Sequence, residues 1–333
     1  MYVMPQIMGL MDPFSDLFGW IMSKMMIWLG SYGLTVIVFT VLLMILSFPL
    51  GLKQKLNMLK QSALQDDINE IQRLYPKDMQ TQNMLRMELL KKHGISQTAG
   101  CLPMLLQMLV FFSMWRPIQQ PLHYIGRVSA ENIENIRSFL VSNSWLAENI
   151  NAKYIARNDI PIIDALSKNG QALYGAVENG WLELKQLVSL DFLGLDLGMR
   201  PTINPKLLFG ADSWRTYLPL LILPILTLVT MIISMQLVKL EQPNRKSKEE
   251  REREKRNPAK AGQNPDPTAG MMKGMNYFFP VIMMFTVFSL PTAMGLFWVV
   301  RNLMMIAQSL FTYFAYHRPF QQKRAEQSAT RSR

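Results

Sequence analysis

The chain has 333 residues, 49% of them hydrophobic, with 35 Lys and Arg against 24 Asp and Glu for a formal net charge of +11. Its single cysteine, Cys101, excludes an intrachain disulfide and any multi-cysteine metal site. The apolar residues are gathered into blocks instead of being spread as in soluble domains, which points to a polytopic membrane protein.

No basic n-region precedes the first apolar residues and no A-x-A-like site follows them, so no cleavable signal peptide is read. Asp12 followed by Pro13 reads as an N-cap and first-turn pair. It would open a helix whose Phe14, Leu17, Phe18, Ile21 and Met25 share a face, suited to the outer membrane interface. A poorly ordered N-terminus is the second reading.

Tyr32 to Leu50 offers 19 uncharged residues and Tyr217 to Leu237 offers 21, lengths that cross a hydrocarbon layer of about 30 Å. Three further segments are compromised. Leu102 to Trp115 is short before Arg116, Met271 to Leu290 spans only if Lys273 snorkels, and Thr292 to Phe314 contains Arg301. Such segments survive where other helices shield them, which gives a count of five spans.

Between the first two spans, Leu52, Leu56, Leu59 and Ala63 form one stripe, continued after a shift by Leu64, Ile68, Ile71 and Tyr75. Pro76 ends that helix and Asp78 caps a second, which closes at Lys91, Lys92 and His93 before Gly94. Beyond the second span, helical stretches are expected around Ile133 to Ile150 and Ile163 to Val188, followed by the Gly- and Pro-punctuated FLGLDLGMRPTINP. This region reads either as a small subdomain or as amphipathic pieces lying on the bilayer. The loop EQPNRKSKEEREREKRNPAKAGQNPDPTAG forms a short solvated helix or stays disordered.

Basic residues fix the orientation. Lys53, Lys55 and Lys60 follow the first span, ten basic residues lie between Val238 and Met275, and Arg318, Lys323, Arg324, Arg331 and Arg333 crowd the tail. By the positive-inside rule the N-terminus is outside and the C-terminus cytosolic. The layout is an outer interfacial segment (1–31), span one (32–50), a cytosolic helical hairpin (51–98), span two (99–117) and an extracytoplasmic region (118–214). Span three (215–238), a basic cytosolic loop (239–270), span four (271–290), span five (291–314) and a basic cytosolic tail (315–333) complete it. The expected fold class is an all-α polytopic membrane protein with five transmembrane helices and a cytosolic hairpin.

Three motifs coincide in order and spacing: SYGLTVIVFT…PLGLKQK, LYPKD leading to KKHGIS and GCLPMLLQ, and LPTAMGLFWVVRNLMMIAQ. Together they resemble the YidC family of membrane protein insertases, relatives of the Oxa and Albino proteins, in the five-span form typical of Gram-positive bacteria. The resemblance implies a helical bundle around a polar groove, open to cytosol and lipid, that moves short hydrophilic segments of client proteins across. It implies the bacterial plasma membrane as location and nascent membrane proteins as partners, with the ribosome and a Sec translocon as further candidates, and a functional monomer. Gln107 and Trp298 match groove positions, and the LYPKD turn (Leu74, Tyr75, Pro76, Lys77, Asp78) belongs to the client-recruiting hairpin.

One departure stands out: the position of the family's groove arginine is Met44 here. At about 100° per residue, Trp298, Arg301, Asn302, Met305 and Gln308 share a helical face. An arginine near the bilayer centre costs about 2.5 to 3.5 kcal/mol even on the lenient insertion scale, so it seeks water or a partner. The expectation is that the groove cation has moved to Arg301, with Thr40, Ser47, Gln107, Asn302 and Gln308 offering exchangeable hydrogen bonds. The alternatives are that Arg301 meets carbonyls or headgroups, that Gln107 bonds a neighbouring helix, and that Trp298 simply packs.

No cofactor is expected, since the chain has no Gly-Lys pair and so no Walker A loop. An enzyme is not expected either: His93, His123 and His317 lie in or beside soluble segments and no apolar span carries Asp or Glu. The competing classes are a small-solute transporter or channel, which would show paired halves with broken helices, and a passive assembly scaffold.

Overall fold

The computed structural model describes residues 3–76, 78–95, 102–147, 158–210, 213–240, 282–283, 285–319 and 322. The basic loop from 241 onward, residues 271–281 and 284 of the expected fourth span and most of the basic tail lie outside the described residues, as does Lys77. The chain divides into two compact units. One comprises Met1–Leu43, Leu106–Thr227 and Met284–Arg301, and the other Met44–Leu105, Leu228–Met283 and Asn302–Arg333.

The first unit begins with α1 (Val3–Leu29), which starts well before the expected Asp12 cap and carries Pro13 inside it. The Asp12 carboxylate is held elsewhere, 2.8 Å from the Arg116 guanidinium, so it is not free to cap. Gly30 ends the helix at φ +65, a left-handed turn that glycine takes without steric cost. The buried face of α1 includes Phe18 and Met22, with Phe18 edge-on to Phe39 of α2 (Tyr32–Ala63) at 5.3 Å between ring centroids.

α5 (Leu102–Gln119) runs through Arg116 and Pro117 and leads into the single turn α6 (Pro121–Tyr124). Gly19 lets α1 close on α6, because a Cβ there would come within 2.8 Å of Tyr124 Cβ. Between residues 118 and 214 the described helices form a packed cluster. α7 (Ala130–Ser142), α8 (Ile160–Lys168) and α9 (Gly170–Glu178) pack through buried Ile136, Leu140, Ile162, Ile163, Leu166 and Ala172. Both expected helical stretches are shorter than periodicity alone implied. Asn143 and Ser144 end α7, the latter at φ +58, and Asn169 breaks the second stretch by capping α9 through Gln171 N and Ala172 N.

The glycine-punctuated run folds as an antiparallel pair, β1 (Asp191–Phe192) and β2 (Leu195–Asp196), a small exception to an all-α fold. Its Leu193–Gly194 turn places both residues at positive φ. α10 (Pro205–Leu208) and α11 (Trp214–Leu220) then lead to α12 (Ile222–Leu240).

The second unit holds the hairpin. α2 continues unbroken through Pro49 to Ala63, so span and first hairpin arm are one helix. It breaks at Leu64, where the apolar stripe changes phase, and α3 (Gln65–Leu74) resumes on the new face. Asp78 caps α4 (Met79–Lys92) by accepting from Gln80 N at 3.1 Å and Thr81 N at 3.0 Å. Ile68 and Leu90 are buried in the hairpin.

Three helical stretches among the described residues are long and apolar enough to cross a membrane: Tyr32–Gln61, Trp214–Leu237 and Thr292–His317. The last is α13 (Thr292–Thr312) with a π-helical turn at Tyr313–His317.

Candidate functional site

The expected site residues divide between the two units. In the first, Trp298 is 2% exposed and its ring stacks on Phe111 at 6.3 Å, so in this conformation the indole packs against protein. Thr40 is buried, with its hydroxyl donating 2.6 Å back to the Val36 carbonyl, which takes its proton out of any exchange with a passing chain. Arg301, half-buried, has an Nε that is buried with no hydrogen-bond partner among the described residues. Gln107 lies in α5, but its side chain is outside the described ones.

In the second unit, Asn302 is buried and donates 3.2 Å to Thr230 Oγ1, an interhelical bond between α13 and α12. The Gln308 Nε2 is buried without a partner among the described residues and faces Gly51, where a Cβ would collide with it. Met44 and Ser47 are half-buried on α2. The spacing of Met44, Ser47, Phe48, Gly51 and Lys55 puts them on one helical face. That face meets α13: Phe48 tilts against Phe311 at 5.7 Å, and Lys55 Nζ donates 2.6 Å to Ser309 Oγ. Lys55 had served only as a topology marker in the sequence. Its i, i+4 relation to Gly51 was the signal that it points at a neighbouring helix.

At the hairpin bend, Leu74, Tyr75, Pro76 and Asp78 are exposed, and Met79, Met84 and Met87 extend an apolar surface along α4. The Thr81 hydroxyl and the Thr81 and Gln80 amides hold the Asp78 carboxyl below the usual carboxylate range. The bend therefore presents apolar side chains beside a fixed negative charge.

Within the first unit, the β1–β2 hairpin and its extension are tied to the starts of all three candidate spans. Phe192 fills the space over Gly33, the second residue of α2, and β2 packs against α11. The Leu197 carbonyl accepts from Ala293 N at 2.9 Å. The Met199 carbonyl accepts from Thr292 N at 2.8 Å and Thr292 Oγ1 at 2.7 Å. These bonds satisfy amides that open α13 and would otherwise lack partners. On α12, Thr227 Oγ1 donates to its own Leu223 carbonyl at 2.8 Å and reaches the Gly295 carbonyl at 3.3 Å. The sequence reading missed this clasp, since its accepting groups are backbone carbonyls and the Thr292 and Thr227 hydroxyls that join them sit in apolar runs.

The profile of the 60Kd inner membrane protein family matches residues 24–319, which includes the candidate spans, the hairpin and the clasp. The chain belongs to this family. Several relatives carry the name Membrane protein insertase YidC. That of Campylobacter jejuni is 39% identical over 89 residues, 27% of this chain and 17% of that protein. That of Francisella tularensis subsp. novicida is 34% identical over 107 residues, 32% of this chain and 19% of that protein. The aligned part of the chain thus spans less than a fifth of either relative's length.

Proposed function

We propose that the chain is a membrane protein insertase: it moves short hydrophilic segments of client proteins through a polar groove and releases their apolar helices into the bilayer. The observation that carries this reading is the family match over residues 24–319, together with the insertase relatives. The layout is five spans in the bacterial plasma membrane, with the N-terminus outside and the hairpin, basic loop and basic tail in the cytosol. Nascent membrane proteins are the clients. The ribosome and a Sec translocon are candidate partners of the basic cytosolic segments, and one copy of the chain suffices.

The physical task is to carry a polar segment over a layer in which each unpaired backbone group or charge costs several kcal/mol. A hydrated groove reaching partway through shortens the dry distance. Arg301 is the groove cation in this reading, supported by its unpartnered Nε in the middle of α13. It draws acidic residues of the client, and Gln308 and Gln107 offer hydrogen bonds. The exposed Leu74–Asp78 bend, with Lys77, receives clients on the cytosolic side. Burying a client helix of about 20 residues, at roughly 0.3 to 0.6 kcal/mol per strongly apolar residue, supplies the drive without a nucleotide.

The test is reconstitution of the purified chain in liposomes with a single-span client that is weakly apolar and has a short acidic N-terminal tail. Protease protection of the tail above that in empty liposomes is the expected result. Protection equal to empty liposomes would refute autonomous insertion.

A further inference from the structure

The outer subdomain buries its aliphatic residues well, yet leaves several large ones bare near the starts of the spans. Leu193 is 87% exposed, Phe209 76% and Trp214 43%. Leu193 also sits at φ +54, a left-handed conformation that glycine or asparagine adopts more easily than a branched apolar residue. A solvated turn gains nothing from leucine there.

The position of these residues says what covers them. Trp214 is the first residue of the candidate span Trp214–Leu237. Phe209 is held beside it, because α10 packs on α11, Ser213 Oγ donates 2.7 Å to the Leu207 carbonyl, and Trp214 N donates 3.2 Å to the Gly210 carbonyl. Leu193 adjoins Phe192, which lies on Gly33 at the start of the candidate span Tyr32–Gln61. All three side chains are therefore fixed at the depth where spans enter the bilayer. Two exposed cations accompany them: Lys206, and Arg215 with its guanidinium 5.5 Å over the Trp214 ring. Amphipathic aromatic groups and basic side chains with apolar stems belong at the headgroup level.

We propose that Leu193, Phe209 and Trp214 form a lipid-binding rim that seats the subdomain in the outer leaflet, with Lys206 and Arg215 on lipid phosphates. The occupant is the bilayer the chain itself spans, because a protein partner would have to displace lipid from the ends of two spans. The clasp transmits this seating to the spans, since the strand pair that carries Leu193 also bonds the start of α13. The assignment to the outer leaflet rests on the orientation proposed above.

The test uses the full chain in liposomes, with Cys101→Ser as background and single cysteines from Leu193→Cys, Phe209→Cys or Lys168→Cys carrying a nitroxide. Oxygen, which concentrates in lipid, is expected to relax the labels at 193 and 209 more than a water-soluble nickel chelate does, with the order reversed at 168. Chelate-dominated relaxation at both 193 and 209 overturns the proposal. Two sites keep the result decisive if one variant fails to fold. Sidedness is read separately from the Lys168→Cys thiol with a membrane-impermeant reagent. Reaction from the cytosolic side alone overturns the proposed orientation, while the oxygen-to-nickel order still decides whether the rim lies in lipid.

Discussion

Asp159 should make the subdomain built on α6 to α9 lose stability as the pH rises. Its carboxylate is fully buried, accepting from Leu122 N at 3.3 Å and His123 N at 2.9 Å, while its own backbone begins α8. One residue thus staples α8 to α6. Burial pushes its pKa from 3.8 up to about 8, against the opposing pull of the two amides. The folded pKa lies above the unfolded one, so the contribution is fully present below about pH 4 and is lost as the pH climbs towards 8. At about 1.4 kcal/mol per pH unit, the decline between pH 5 and pH 8 amounts to roughly 4 kcal/mol as an upper figure. Above that range both states are ionised and the dependence flattens. Asp159→Asn cannot ionise but gives up one of two acceptors, at about 1 to 3 kcal/mol for the amide left unpaired. Thermal unfolding of both proteins in nanodiscs, from about pH 5 to about pH 9, should give curves that cross: wild type more stable in acid, the variant equal or better at the alkaline end. Parallel curves would refute the staple as a titrating group.

Four further outcomes follow from particular contacts. Arg301→Ala should abolish protease protection of the client tail and Met44→Arg in that background should partly restore it; full activity in Arg301→Ala alone would show that the groove needs no cation there. Gly33→Leu should drive Phe192 off the start of α2, seen as faster hydrogen exchange at the Thr292 and Ala293 amides. Asn302→Leu should lower the unfolding midpoint by the equivalent of about 0.5 to 2 kcal/mol, the range for a hydrogen bond between membrane helices, and Thr230→Val in the same chain should add little. Asp78→Ala should speed exchange at Gln80 and Thr81 amides and make the hairpin insensitive to acid, because a carboxyl held below its ordinary pKa stabilises above that range and loses the effect as the pH falls.

Much of the architecture was legible in the sequence, and the misses have physical causes. Long uncharged runs marked α2 and α12 because hydrocarbon thickness sets a length that few other structures need. Asp78 was readable as a cap because its carboxylate has local amide partners two and three residues on. The shift of the apolar stripe at Leu64 reads as one helix continuing to Pro76, whereas the helix breaks there, after Ala63. Asp12 looked equally local, yet its partner is Arg116, more than a hundred residues away. The β1–β2 pair was hidden because strands of two residues have no periodicity to read, and its clasp on α13 uses backbone carbonyls, which every residue has.

The same distinction reorders the candidate groove. Helical periodicity correctly groups side chains on one face, but it cannot say whether that face meets a helix or an opening. A polar group in a span is satisfied within its own turn, as Thr40 is by Val36, or across helices, as Asn302 is by Thr230 and Lys55 by Ser309. Groups of these kinds hold the bundle together and give a client little to exchange with. Arg301 Nε and Gln308 Nε2 belong to neither kind among the described residues. A buried donor left unpaired costs about 1 to 3 kcal/mol, more when charged. On the insertase reading, a polar client segment that accepts from either donor would recover that cost only while inside the membrane, where a translocating chain is otherwise least stable. On the insertase reading proposed above, unsatisfied donors matter more than polarity as such, and Arg301 and Gln308 outrank Thr40, Asn302 and Trp298 as positions where substitution should change insertion without changing the fold.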